Sequence, residues 1–207
     1  MSYIDVSTLK FLNIKGVSKP KHGLSPSFQA RIASFTMLQI SDYEEDAAAA
    51  GQLIRWPKRL EIFTFGSFYN HLFYMDLAMF RAWLLIHKDS PREIDIGYLS
   101  TSGTGILLDV SDFPNLRTLT LSRYSFLRDL HFSAADSYLL APKLESFTCS
   151  FSIYDQHDES WTDFGEPEER WMMQFAKAAV SKSLLRKRIE VIFQPGYWCT
   201  REEDGYP

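Results

Sequence analysis

The sequence has little cysteine, no basic excess and no long uninterrupted apolar run, and each absence excludes a class of protein. The two cysteines, Cys149 and Cys199, are too few to form a disulfide framework. The formal net charge of −4 leaves no basic excess of the kind that binds nucleic acid. The most apolar stretch, residues 72–86, is interrupted by Asp76 and Arg81 and is too short to span a bilayer. We therefore predict that neither nucleic acid nor a membrane is a partner.

Two sequence features, the first five residues and the lack of glycosylation motifs, indicate where the protein is expected to be located. Residues 1–5 contain no basic segment followed by an apolar one, so no secretory signal is predicted. No Asn-x-Ser/Thr acceptor occurs anywhere in the sequence. Both observations favour an intracellular protein, in the cytoplasm or the nucleus. In that setting Cys149 is predicted to be a small, reduced core residue.

Motifs that mark catalytic and metal sites are missing as well. The chain has no Gly-x-Ser-x-Gly elbow, no His-Glu-x-x-His and no Cys-x-x-Cys. The segment Gly103-Thr-Gly105 lacks the Gly-Lys-Ser/Thr ending of a phosphate loop. The histidines, which show no repeated spacing, are His22, His71, His87, His131 and His157. We therefore predict no enzyme, with no catalytic residue, no metal site and no cofactor; a hydrolase whose triad assembles from distant residues is an alternative.

What the sequence does contain is a recurring short motif. Its clearest copy is Leu116-x-x-Leu119-x-Leu121, an apolar entry followed by alternation at period two, which is typical of a strand with one buried face. Successive copies are separated by 26, 25, 31, 25 and 28 residues. Most of these intervals fall within the roughly 20–29 residues of a leucine-rich repeat. The alternative is an ordinary α/β sheet with evenly spaced strands. The other copies, the fourth of them degenerate, begin at Leu9, Phe35, Leu60, Pro91 and Leu144.

The motif predicts one parallel strand in each repeat, and the segments between the strands predict return helices. The strand cores are predicted at residues 12–14, 38–40, 63–65, 94–96, 119–121 and 147–149, with a closing strand at 188–193. Helices are predicted at residues 27–33, 42–56, 69–87 and 166–182.

Together these elements predict the fold class and the domain organisation. We expect an α/β leucine-rich-repeat right-handed solenoid with one parallel β-sheet on its concave face and irregular helices on its convex face. Residues 1–195 would form this domain, with about six to seven irregular repeats, and residues 196–207 a C-terminal tail. The first repeat starts almost at residue 1, which predicts an uncapped apolar edge near Ile4, Phe11 and Leu12.

Four segments carry a resemblance to a known family. They are Trp56-Pro-x-x-Leu-Glu61, Asp112-Phe-Pro-x-Leu-Arg-x-Leu-x-Leu121, Leu140-Ala-Pro-x-Leu-Glu145 and Trp161-x-Asp-Phe-Gly-x-x-Glu-x-x-Trp171. In their order and spacing, over most of residues 9–195, they resemble the leucine-rich-repeat region of filamentous-fungal F-box proteins.

The resemblance implies a function as well as a fold. In that family the repeats capture the substrate of a cullin-type ubiquitin ligase, and an N-terminal F-box docks on a Skp-type adaptor. No F-box pattern precedes residue 9, so the resemblance implies adaptor binding only if upstream sequence supplies an F-box. The implied function is therefore a protein-binding module, the substrate-recognition repeats of an F-box protein. An F-box-independent intracellular leucine-rich-repeat scaffold is the alternative.

The outward positions of the predicted strands define a candidate partner-binding surface on the concave face. Because successive side chains of a strand alternate between faces, two rows of residues point outward. The first row changes along the chain from apolar to acidic to small and polar, which predicts a partner segment with an apolar anchor and a basic flank. The alternative is that another domain of the same protein packs on its apolar end. The two rows consist of Phe11, Met37, Ile62, Glu93, Thr118 and Ser146, and of Asn13, Gln39, Thr64, Asp95, Thr120 and Thr148.

Overall fold

The main element of the computed structural model is an open sheet of seven parallel strands whose spatial order follows the chain order. The strands, in that order, are β1 (Phe11–Lys15), β2 (Met37–Ser41), β3 (Ile62–Gly66), β4 (Glu93–Ile96), β5 (Thr118–Ser122), β6 (Ser146–Ser150) and β7 (Arg188–Ile192). The structure describes residues 8–16, 29–41, 43, 47–66, 75–99, 108–126, 132–133, 138–151, 164–182 and 188–192.

The predicted strands and their parallel arrangement are confirmed. Each predicted core lies inside an observed strand, and Leu119 of β5 pairs with Ile94 of β4 and Phe147 of β6. The predicted closing strand is β7, which pairs in parallel with β6. The period-two alternation located these strands correctly because it reflects one buried and one open side.

The buried side of the sheet consists of the inward positions of the motif. Leu119 and Leu121 have no exposed surface, as predicted. Cys149 is also fully buried, and burial raises the pKa of its thiol, so the side chain behaves as a small apolar core residue. The inward positions of β2 to β6, none more than 2% exposed, are Leu38, Ile40, Phe63, Phe65, Ile94, Ile96, Leu119, Leu121, Phe147 and Cys149.

A repeated backbone contact joins neighbouring strands where the chain enters the sheet. The carbonyl oxygen of Glu61 accepts hydrogen bonds from the N–H groups of Arg92, at 2.8 Å, and Glu93, at 3.1 Å. The carbonyl of Arg92 accepts in the same way from Arg117 and Thr118, at 2.8 and 3.0 Å. Carbonyls at the equivalent position make the same pair of bonds at Lys10, Thr36 and Arg117. One local geometry therefore recurs from strand to strand.

Helices follow several of the strands. Among the described residues no helix is both long and apolar enough to cross a membrane. The helices are α1 (Ala47–Arg55), α2 (Leu77–Leu84), which continues as a 3₁₀ helix (Leu85–His87), α3 (Arg123–Phe126) and α4 (Glu166–Ser181).

Two of the predicted helices differ from the structure. Residues 29–33 form a turn instead of helix, because Arg31 has a left-handed backbone (φ 62°) and Ala33 makes an isolated parallel bridge to Pro57. Residues 69–74 of the third predicted helix lie outside the described residues, and within the described part α2 begins at Leu77, because the carboxylate of Asp76 accepts a hydrogen bond from the N–H of Met79 at 2.8 Å and caps it. The predicted N-cap at Asp42 of the second helix lies outside the described residues.

Aromatic side chains attach the longer helices to the buried side of the sheet. Phe80 of α2 contacts Phe65 of β3, with ring centroids 4.8 Å apart. Phe175 of α4 contacts Phe147 of β6 at 4.6 Å and stacks on Trp171 at 5.1 Å. Since Phe65 and Phe147 are both inward positions, α2 and α4 cover the same side, and no described helix packs on the other.

Candidate binding face of the sheet

The strand register brings the predicted site residues together on the side of the sheet opposite the core. We call this surface the open face; it comprises the two rows of outward residues on β1 to β6. Residues of one row are direct cross-strand partners: Phe11 pairs with Met37, and Met37 with Ile62. In the second row Thr64 pairs with Asp95, and Asp95 with Thr120. All twelve predicted residues lie in these two rows at the expected positions.

The first three strands give the open face an apolar end. Phe11 is 44% exposed at the edge strand β1, and Met37 and Ile62 are half-buried beside it. Leu12, on the inward side of β1, is also only half-buried. An apolar stripe across three neighbouring strands is typical of a surface that contacts another apolar group.

The middle strand, β4, makes the open face acidic. Glu93 and Asp95 lie two residues apart and therefore point to the same side. Burial and the neighbouring Glu93 raise the pKa of Asp95 to about 6. Thr64 and Thr120 flank Asp95 on the adjacent strands. A positively charged group placed here would relieve the repulsion between the two carboxylates.

The last strands give the open face a polar end, smaller than the sequence predicts. Thr118, Thr120 and Ser146 are half-buried, but Thr148 is only 5% exposed and is not accessible to a partner. Glu190 of β7 lies beside Thr148 in the second row.

Two residues of this face are missing from the sequence prediction. Arg188 continues the first row and Glu190 the second, and a hydrogen bond of 2.6 Å joins their side chains. The signal was present in the sequence, because the segment from Arg188 to Ile192 alternates polar and apolar residues like the other strands.

Comparison with known proteins finds no match for this chain among family models, curated proteins or solved structures. Within the part of the chain that the structure describes, no group of three potential metal ligands is found. The open face is therefore interpreted from its own residues: an apolar end, an acidic middle and a polar end.

Proposed function

We propose that the protein is a protein-binding module, the substrate-recognition repeat region of an F-box protein of a cullin-type ubiquitin ligase. Its fold would be a right-handed leucine-rich-repeat solenoid with the open face as the concave side. The observation that carries the proposal is the in-register gradient of the open face, from Phe11, Met37 and Ile62 to Glu93 and Asp95.

The repeat assignment has support from two regularities of the backbone. The order of the strands in space is their order in the chain, so each unit contacts its sequence neighbours. The carbonyl before each of β1 to β5 also accepts two hydrogen bonds from the next unit, as at Glu61 and Arg92. Stacked repeats cover one another's apolar surface, because a single unit cannot bury its own.

The spacing of the open face defines the partner's chemistry. Neighbouring strands lie about 4.8 Å apart, so Ile62 and Glu93 are one step apart and Phe11 lies about 10 Å further along. A partner segment with an apolar side chain and an adjacent lysine or arginine fits this order. The apolar side chain would be buried against Met37 and Ile62, and the cation would approach Asp95.

A capture experiment with matched controls tests the proposal. Ile62→Asp and Asp95→Lys change the apolar and the acidic part of the open face, whereas Val180→Asp and Glu169→Lys make the same kinds of change on exposed positions of α4. Each variant is first shown to be folded by circular dichroism. We expect the open-face variants to lose a partner captured by the wild type and the α4 variants to keep it. Retention by both open-face variants at wild-type strength would reject the open face as the site.

Attachment to a ligase is tested separately. The full-length gene product is incubated with a purified Skp-type adaptor, and co-purification supports the F-box assignment. If the product captures its partner through the open face but never retains the adaptor, the alternative of an F-box-independent scaffold replaces it.

A further inference from the structure

Two cavities adjoin where the chain enters strands β3 to β5, and none of the residues assigned to partner binding lines them. Their volumes are about 430 and 240 Å³. Arg59, Asp89 and Ser90 contribute to the walls of both, so the two form one continuous depression. Ligand sites typically occupy about 300–1,000 Å³, and this depression is in that range.

Positive side chains dominate the walls of this depression. The larger cavity is lined by Arg31, Lys58 and Arg59, and the smaller one by Arg59, Arg92 and Arg117. Among the described lining residues Asp89 is the one carboxylate. We call the five cations the arginine groove. Its charge contrasts with the net −4 of the whole chain.

The guanidinium groups of the groove are positioned but retain free donors. Glu61 lies between two of them, with its carboxylate 2.9 Å from Nε of Arg59 and 4.0 Å from Nε of Arg92. The terminal Nη groups of both arginines have no acceptor among the residues that the structure describes. Arg117 is oriented by Glu145 through one Nη group at 3.1 Å. Groups held through one atom keep their remaining N–H donors for a ligand.

The far end of the groove is built on strained backbone. Arg31 has a φ of 62°, a conformation that is unfavourable for a residue with a Cβ atom. Hydrogen bonds from its N–H to the carbonyl of Arg55 and from its guanidinium to the carbonyls of Lys58 and Ile86 hold it there. Local strain of this kind is concentrated at functional sites.

A buried histidine in the same wall is incompletely satisfied. His87 is 3% exposed, and its Nε2 lies 2.9 Å from the carbonyl oxygen of Ile54, so Nε2 carries the proton. Burial lowers the pKa of His87 below its ordinary value. The hydrogen bond to Ile54 raises this pKa and the charge of Arg31 lowers it further. The net pKa is lowered, so the ring is neutral at pH 7. Nδ1 has no partner among the described residues. Nδ1 carries a lone pair and is an acceptor, so His87 forms part of the wall without donating to an anion.

We propose that the arginine groove binds a phosphate-bearing ligand. Guanidinium groups match the oxygens of phosphate in fork geometry. Arg92 and Arg117 directly precede the paired strands β4 and β5, and the N–H of Arg117 donates to the carbonyl of Arg92 at 2.8 Å, so the two side chains start close enough to share one phosphate. The carboxylate of Asp89 repels an anionic ligand. Binding therefore requires an anion that contacts several arginines at once. This site is separate from the open face and does not depend on its function.

Calorimetric titration of the purified protein with sodium pyrophosphate at constant ionic strength tests the proposal. We expect saturable binding that the double variant Arg59→Gln/Arg92→Gln weakens at least tenfold. Arg170→Gln is the matched control, since Arg59 and Arg170 are each 57% exposed and each pairs with one glutamate. Absence of binding by the wild type, or equal weakening by the control, would overturn the site.

A second variant keeps the test decisive if the double variant folds poorly. Asp89→Asn removes a carboxylate from the groove, so it should strengthen pyrophosphate binding several-fold, an effect that damage to the fold would not produce. Unchanged or weaker binding by folded Asp89→Asn protein would contradict the proposal.

Competition experiments then distinguish the two sources of phosphate. If a phosphoserine peptide displaces pyrophosphate at a lower concentration than inorganic phosphate does, the ligand is a phosphate group on a protein. If inorganic phosphate displaces pyrophosphate at the lower concentration, the ligand is a small metabolite.

Discussion

The two sides of the sheet are formed by the same strands but differ in burial and in the types of residue they carry. On β5, Leu119 and Leu121 point inward and have no exposed surface, whereas Thr118 and Thr120 point outward and are half-buried. Inward positions are apolar on every strand from β2 to β6. In the first outward row the residues change from aromatic and aliphatic to acidic and then to hydroxyl-bearing. The buried side is uniformly apolar because it packs against the helices, whereas the side chains of the open face do not pack in that core.

The largest expected difference between the two sides is in stability. Leu119→Ala leaves a cavity between Ile94 and Phe147 and should lower the free energy of unfolding by about 2–5 kcal/mol. Thr120→Ala, one residue along, should change it by less than about 0.5 kcal/mol. Urea denaturation of both variants measures the contrast. Equal losses would show that the open side is packed as tightly as the buried side.

Among the described residues the buried side has one charged exception, Glu168, whose loss should have the next largest effect on stability. Glu168 of α4 is 4% exposed, and its carboxylate accepts hydrogen bonds from Arg123 at 2.7 Å and from the N–H of Gly165 at 3.1 Å. Hydrogen bonds to charged groups contribute about 1.5–3 kcal/mol, so Glu168→Gln should lower the free energy of unfolding by about that amount. Glu169→Gln, one residue along on the exposed side of α4, is the control.

The ionisation of Glu168 should make the stability of the protein depend on pH. Burial alone would raise the pKa of Glu168, but the hydrogen bonds from Arg123 and the backbone lower it below its ordinary value of 4.5. A lowered folded-state pKa stabilises the protein above the unfolded-state value, and this contribution is lost as the pH falls through the folded-state value. Thermal melting from pH 7 to pH 3 should therefore show a steeper acid loss for the wild type than for Glu168→Gln. Parallel curves would contradict the assignment.

Two glycines allow a smaller test of the same comparison. A Cβ at Gly51 of α1 would lie 2.7 Å from Nε1 of Trp83, whereas a Cβ at Gly66 of β3 would meet nothing within 4 Å. Overpacking costs about 1–3 kcal/mol, and for Gly51→Ala we expect this cost to exceed the gain of about 1 kcal/mol in helix propensity. Gly66→Ala should be neutral or slightly stabilising. A Gly51→Ala variant that melts above the wild type would show that Trp83 moves aside freely.

The sequence predicts the sheet well because one short-range rule controls it. Alternation of apolar and polar residues places Leu119 inward and Thr120 outward whatever the rest of the chain does. The turn around Arg31 is not predictable in this way, because the bonds that hold its strained backbone come from Arg55 and Trp56, more than twenty residues later. The burial of Thr148 is not predictable from alternation either, because alternation separates the two faces but does not say how closely neighbouring side chains cover an outward residue.

The arginine groove cannot be predicted from the sequence, for a different reason. Arg59, Arg92 and Arg117 precede three different strands, and each has a glutamate partner that makes it look like an ordinary exposed ion pair. The pairing of the strands brings them to one depression. The charge pattern around any one strand cannot show this, because the cluster runs across the strands.

The smallest expected effect tests the acidic middle of the open face. Because the pKa of Asp95 is raised from 3.8 to about 6, the folded protein binds this proton more tightly than the unfolded chain, so ionised Asp95 is destabilising. That penalty is absent well below pH 3.8, grows between about pH 4 and pH 6, and is complete above about pH 6. Asp95→Asn removes it, and the variant should melt above the wild type at pH 7.5 and level with it at about pH 3. Glu169→Gln controls for the loss of a negative charge. A constant difference across the pH range would mean that Asp95 is solvated, and that a partner's cation gains nothing by contacting it.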